Sequence, residues 1–167
     1  MRELPAWYDK SNSFGWISIG LHWGTALLII VLWFVGMSIM YQSADAIDAR
    51  RSLHITLGLM AWIPLAIRIG WRVVSGHPQV NGQSAATHRL AKFAHYVMLA
   101  TLTISLLTGP LMAWLLPERT AVVQMALLFH STAAKVLAGL VLLHVAAAMK
   151  HLMFHDDETI ARIFVPK

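Results

Sequence analysis

The chain has 167 residues, 57% of them hydrophobic and only 13% charged, with no cysteine and a formal charge of +5. A water-soluble domain carries about 25% charged residues, so this composition, with a mean hydropathy of +0.61, describes one integral membrane domain over residues 1–167. Lack of cysteine excludes disulfides, iron–sulfur clusters, thiol catalysis and covalent c-type haem, and the positive charge speaks of membrane topology rather than of nucleic acid.

Four segments reach the roughly 20 apolar residues that a bilayer crossing takes. The first covers about residues 14–41 and is too long for a cleaved signal peptide. The second covers about 53–74, with Pro64 as an expected kink. A loop of Gly, Pro, Asn and Ser, SGHPQVNGQSAAT, follows it. The third covers about 90–116, with Pro110 near its end, and the fourth about 121–154. The connections around Ser43–Arg51 and Pro117–Thr120 are short, so neighbours run antiparallel. No period-two alternation suggests a barrel. The expected fold is all-α, an integral membrane four-helix up-down bundle.

Lys and Arg concentrate in the tails, the second loop and the helix ends beside them, with Arg68, Arg72, Arg89, Lys92, Lys150 and Arg162 among them. The first and third connections hold Arg50, Arg51 and Arg119. The positive-inside rule puts both termini in the cytoplasm. Trp16, Trp23, Trp62, Trp71 and Trp114 suit an interfacial belt and packing.

Ionisable residues inside a span are costly and by default functional. Here they are histidines in two layers. His22 and His144 sit toward the cytoplasmic ends of the first and fourth spans, His54 and His130 toward the outer ends of the second and fourth. Fourteen residues separate His130 from His144. At 100° per residue that is about 40° short of four turns, and at 1.5 Å per residue about 21 Å along the axis. One face of one helix thus offers an imidazole to each leaflet, and a histidine on another helix matches each level. A lone histidine on an apolar face would be a hydrogen-bonded structural residue. Two opposed pairs have the layout of two bis-histidine haems, held without covalent attachment and so of b type. A haem-free proton-coupled transporter is the rival reading, but it asks for Asp or Glu within the spans, and there is none. Gly58 and Ala134, one turn beyond His54 and His130, and also Gly20 and Gly139, are small enough to let a porphyrin lie close, although such residues are common at any membrane helix contact. Arg68 and Arg72 within, and Arg50 and Arg51 without, suit haem propionates, or else plain anchoring.

These residues resemble the bacterial cytochrome b561 family. The matching pieces are SIGLHW around His22, HITLG from His54, Arg68, AHY around His95 ahead of Thr108–Gly109, and the two histidines of the fourth span followed by VAAAMKH to His151. The resemblance covers nearly the whole chain. It implies His22 with His144 as axial iron ligands of an inner haem and His54 with His130 of an outer one. It also implies a place in the bacterial inner membrane, and electron exchange between the quinone pool and an outside partner. One branch oxidises superoxide outside and reduces ubiquinone inside, and the length of this chain suits that stand-alone type. A membrane subunit serving a larger redox protein, a hydrogenase or dehydrogenase, is the alternative.

Three further positions follow. His95, near the inner layer, competes with His22 as ligand or contacts a propionate or quinone. His151 lies seven residues past His144 on nearly the same face, about 10 Å further along, where an imidazole can bond a quinone carbonyl and supply a proton. Lys135, five residues after His130, with Arg50, Arg51 and Arg119 offers a positive outer mouth that steers superoxide.

Overall fold

The computed structural model describes residues 7–10, 13–39, 44–78, 85–115, 120–154 and 161–166, apart from the side chains of residues 44–47, 151, 154 and 161. Four helices follow one another: α1 (Trp16–Ser38), α2 (Ala44–Ser75), α3 (Ala85–Leu115) and α4 (Ala121–Phe154). A short 3-10 turn, Ala161–Ile163, comes after them. No strand occurs among the described residues. Each helix holds a stretch long and apolar enough to cross a bilayer.

Two helices begin earlier than hydropathy alone indicates. α2 starts at Ala44, so the expected connection around Ser43–Arg51 is mostly helix. Its sequence, ADAIDARR, is rich in helix formers and carries its acids at the N-terminal end, where the helix dipole favours them. α3 starts at Ala85, five residues before the apolar run at Leu90. Arg119 lies outside the described residues.

Consecutive helices pack together: α1 on α2, α2 on α3, and α3 on α4. α4 approaches α1 and α2 much more sparsely. The centre is small. Ala61, Leu65, Leu102 and Leu137 are buried there, with Leu28, Leu32, Met98 and Val141 against them. The larger apolar side chains face outward: Phe34 is 63% exposed, Met60 71% and Leu142 72%. Water would penalise that arrangement, whereas lipid accepts it, because backbone groups are satisfied within each helix and apolar side chains meet acyl chains. Pro110 in α3 removes the donor that would reach Leu106 O. The Trp62 indole N–H fills the gap, donating to Leu106 O at 3.1 Å.

The terminal segments meet over one end of the bundle, called proximal below. Asp9 accepts hydrogen bonds from Gly15 N at 2.8 Å, Ser18 Oγ at 2.7 Å and Arg72 Nη1 at 3.3 Å. Ser18 Oγ also accepts from Trp71 Nε1 and Arg72 Nη2. Phe14 lies between the guanidinium groups of Arg72 and Arg162. Trp23 Nε1 donates to Ile163 O at 2.8 Å, and its ring stacks on Phe164. The Asp9–Arg72 pair is almost wholly buried, at 5% and 4% exposure. Breaking such a pair strands the remaining charge, at a cost of about 3–5 kcal/mol. Asp9→Asn is therefore expected to lower the thermal midpoint in detergent sharply. Adding Arg72→Gln to it should recover most of the loss.

Candidate functional site

Each helix carries two positions fourteen residues apart: His22 and Gly36 on α1, His54 and Arg68 on α2, His95 and Gly109 on α3, His130 and His144 on α4. Fourteen residues nearly complete four turns, so each pair shares a face about 21 Å apart along its helix. The structure gathers the eight positions into two levels. His22, Arg68, His95 and His144 meet at the proximal level, and Gly36, His54, Gly109 and His130 at the other, distal level.

At the distal level the ring centres of His54 and His130 stand 6.2 Å apart, edge to face. Thr108 sets the His130 ring. Its hydroxyl donates to Ile104 O at 2.7 Å and so is left to accept from His130 Nδ1 at 3.0 Å. The proton then belongs on Nδ1, and Nε2 keeps the lone pair that a metal needs. The His54 ring lies against Gly36, where an added Cβ would come 3.1 Å from Cε1. The His130 ring lies against Gly109, where the same approach would be 3.4 Å.

At the proximal level the ring centres of His22 and His144 stand 6.3 Å apart. Arg68 Nη2 donates to His22 Nδ1 at 3.1 Å, while its buried Nη1 has no hydrogen-bond partner among the described residues. His95 is closer to His144, at 5.0 Å between ring centres. Its Nδ1 is tied to its own helix, 2.7 Å from Ala91 O. Arg72 lies nearby, but its guanidinium is engaged by Asp9, Ser18 and Gly76 O. A cavity of about 170 Å³ joins these groups to His77, His88 and Lys92.

His77 is the member of this cluster that the sequence did not single out. Gly76 ends α2 in a left-handed conformation, φ 66°, with its N–H donating to Arg72 O at 3.1 Å. Only glycine takes that cap without strain. The turn lays His77 against His95, at 4.9 Å, and Tyr96, at 5.5 Å. Both ring nitrogens are buried without a hydrogen-bond partner among the described residues. Burial, then the positive ends of His95, Arg72, Lys92 and Arg68, push its pKa down to about 3. It is therefore neutral at physiological pH.

The remaining expected positions are more scattered. Arg50 and Arg51 are exposed on α2, and Arg51 pairs with Asp48 at 3.1 Å. Lys135 is exposed on α4. α4 runs on through His151, whose side chain lies outside the described residues. Gly20 and Gly139 have nothing within 4 Å of an added Cβ, and Gly58 meets only Leu32.

The two couples have the dimensions of one metal held between two imidazoles. Ring centres then stand about 6.4 Å apart, from two metal–nitrogen bonds of about 2.0–2.1 Å and about 1.1 Å within each ring. Among the described residues no three His, Cys, Asp or Glu side chains converge as a bare metal ion would need. This chemistry fits haem, which supplies four equatorial ligands of its own. No curated protein sequence matches the chain. Residues 13–166 match the family of prokaryotic cytochrome b561, whose members are membrane haem b proteins of electron transfer, and with nearly its whole length matched the chain belongs to that family.

Proposed function

We propose that the chain is a di-haem b cytochrome of the bacterial inner membrane that passes electrons from superoxide outside to ubiquinone inside. The observation that carries this reading is the presence of two imidazole couples, 6.2 and 6.3 Å across, at opposite ends of α4. Bound haem supplies iron that stores and passes one electron at a time, here with both axial positions taken by histidine. His54 and His130 hold the distal group, and His22 and His144 the proximal one. Separation favours His22 over His95. At 5.0 Å from His144, the His95 ring is too near for an iron to sit between them, whereas 6.3 Å fits.

Arg68, with its free Nη1 in the cavity, is the propionate partner at the proximal level. Arg72 stands behind it, held by Asp9. The proximal end carries Arg68, Arg72, Arg89, Lys92 and Arg162, which favours a cytoplasmic position for it and for both termini. Ubiquinone is reduced beside the proximal cavity. Neutral His77 offers a carbonyl a hydrogen bond there, and His151, about 10 Å beyond His144, flanks the approach. Reduction takes two electrons and two protons, and two superoxide ions give up those electrons and leave as oxygen. At the distal end the exposed Arg50 and Lys135 supply positive charge for steering. Arg51 contributes less, since Asp48 offsets it.

The test is the purified chain in liposomes with ubiquinone and a superoxide-generating system. Quinol should form, should stop when superoxide is scavenged, and should form more slowly at high ionic strength, which screens steering. A pigmented chain that is inactive alone but copurifies with a hydrogenase or dehydrogenase would favour the subunit reading. A colourless chain would favour a transporter.

A further inference from the structure

The fourteen-residue register treats the two levels differently. At the proximal level the two positions beside the imidazole couple are Arg68 and His95, both large and polar. At the distal level they are Gly36 and Gly109. Each distal imidazole rests on one of these glycines, and each glycine stands on a helix that supplies no distal histidine: His54 of α2 on Gly36 of α1, and His130 of α4 on Gly109 of α3. Other glycines are not so placed. Gly20, Gly24, Gly70 and Gly139 have nothing within 4 Å of an added Cβ. Gly15, ahead of α1, meets the backbone of Trp7 and Tyr8 instead, so among the glycines within the helices the contacts with an imidazole belong to two positions, and both face the distal couple.

An added methyl at Gly36 would meet His54 Cε1 at 3.1 Å and Nδ1 at 3.4 Å. That is too close for ordinary packing, so the ring has to move or turn. At Gly109 the nearest atom, His130 Cε1, is 3.4 Å away, the edge of normal contact. His130 is also held by Thr108 and has less freedom to turn. His54 Nδ1 has no hydrogen-bond partner among the described residues. Leu32 of α1 offers the His54 ring a backbone hydrogen bond, so each distal imidazole has both a hydrogen-bond partner and a glycine against it.

We infer that Gly36 and Gly109 are positioning residues that set the placement and ring orientation of His54 and His130, and through them the distal haem. The inference rests on the reading of the two couples as haem ligands. The relative orientation of two axial imidazoles governs the low-spin electron paramagnetic resonance (EPR) signal of ferric haem, so a change in seating is visible without any assay of turnover. The proximal haem of the same chain serves as the internal reference.

The experiment compares the purified full chain with Gly36→Ala, Gly36→Val, Gly109→Ala and, as control at an exposed glycine, Gly70→Ala, by haem content and by EPR of the oxidised protein. Gly36→Ala should keep both haems but shift the distal signal. Gly36→Val should lose the distal haem, halving the pigment, with the proximal signal unchanged. Gly109→Ala should shift the distal signal by less than Gly36→Ala. Gly70→Ala should match the wild type. Equal loss of both haems in Gly36→Val would point to a general folding role and overturn the inference, and so would an unshifted distal signal in both alanine variants. A wild-type chain without two low-spin haems would instead overturn the reading beneath it.

Discussion

His130→Ala is expected to halve the haem b content of the purified chain and to remove the distal low-spin signal while leaving the proximal one. An iron held between two imidazoles loses half of its axial bonding when one is removed. The helix offers no substitute nearby: Phe129 and Ser131 flank the position, and Ala133 and Ala134 occupy the next turn. Removing the imidazole also leaves Thr108 without the ring it orients. Replacing Thr108 itself by valine should be milder. Loss of a group that orients a metal ligand typically costs about 10–100-fold in metal affinity, so Thr108→Val should retain haem at high concentration and release it on dilution. Superoxide-driven quinone reduction should vanish in His130→Ala. Quinone reduction from a strong artificial donor that reaches the proximal level should survive.

The second large effect separates His22 from His95. His22→Ala is expected to abolish the proximal haem, and His95→Ala to keep it with a shifted potential. Distance favours His22, whose ring centre stands 6.3 Å from that of His144, against 5.0 Å for His95. Local hydrogen bonding pulls the other way, because His95 Nδ1 donates to Ala91 O and leaves Nε2 with the lone pair. Metal–nitrogen bond length is the stiffer constraint, so His22 is the expected ligand. His95 is then a neighbour of the proximal couple that passes its contact on to His77. The reverse outcome, pigment lost in His95→Ala and retained in His22→Ala, would move the ligand to α3.

Much of this arrangement was legible in the chain. The apolar runs gave four spans, and their short connections gave antiparallel neighbours. The two histidines of α4 gave two levels, since spacing along one helix is rigid and needs no knowledge of the other helices. Depth within each span then matched His22 and His54 to those levels. The same spacing also linked Gly36 to His22, Arg68 to His54 and Gly109 to His95. That signal was readable, but glycine is so common at membrane helix contacts that only the observed contact with a ring gives it meaning.

Other parts needed the fold. Nothing in SGHP says that His77 turns back onto α3. That follows from the left-handed cap at Gly76 and from the helix beginning at Ala85. Nothing in the sequence around Asp9 says that its carboxylate is buried against Ser18 and Arg72. The cause is tertiary: a carboxylate from one terminus neutralises a cation that the helix end has already drawn from water. α2 begins before its apolar segment because helix propensity continues where hydropathy stops.

The two levels also differ in character. Cations and imidazoles crowd the proximal one, whereas glycine and aliphatic side chains surround the distal one. Positive charge near an iron stabilises its reduced state, so on the proposed function the proximal haem should have the higher potential and electrons should run from the distal level to the proximal one.

The central claim is that four histidines of α1, α2 and α4 form two axial pairs. EPR of the oxidised, purified chain, integrated against protein concentration, tests it most directly. Two distinct low-spin ferric centres per chain are expected. A single centre, or a high-spin signal from iron with an open axial position, would contradict it.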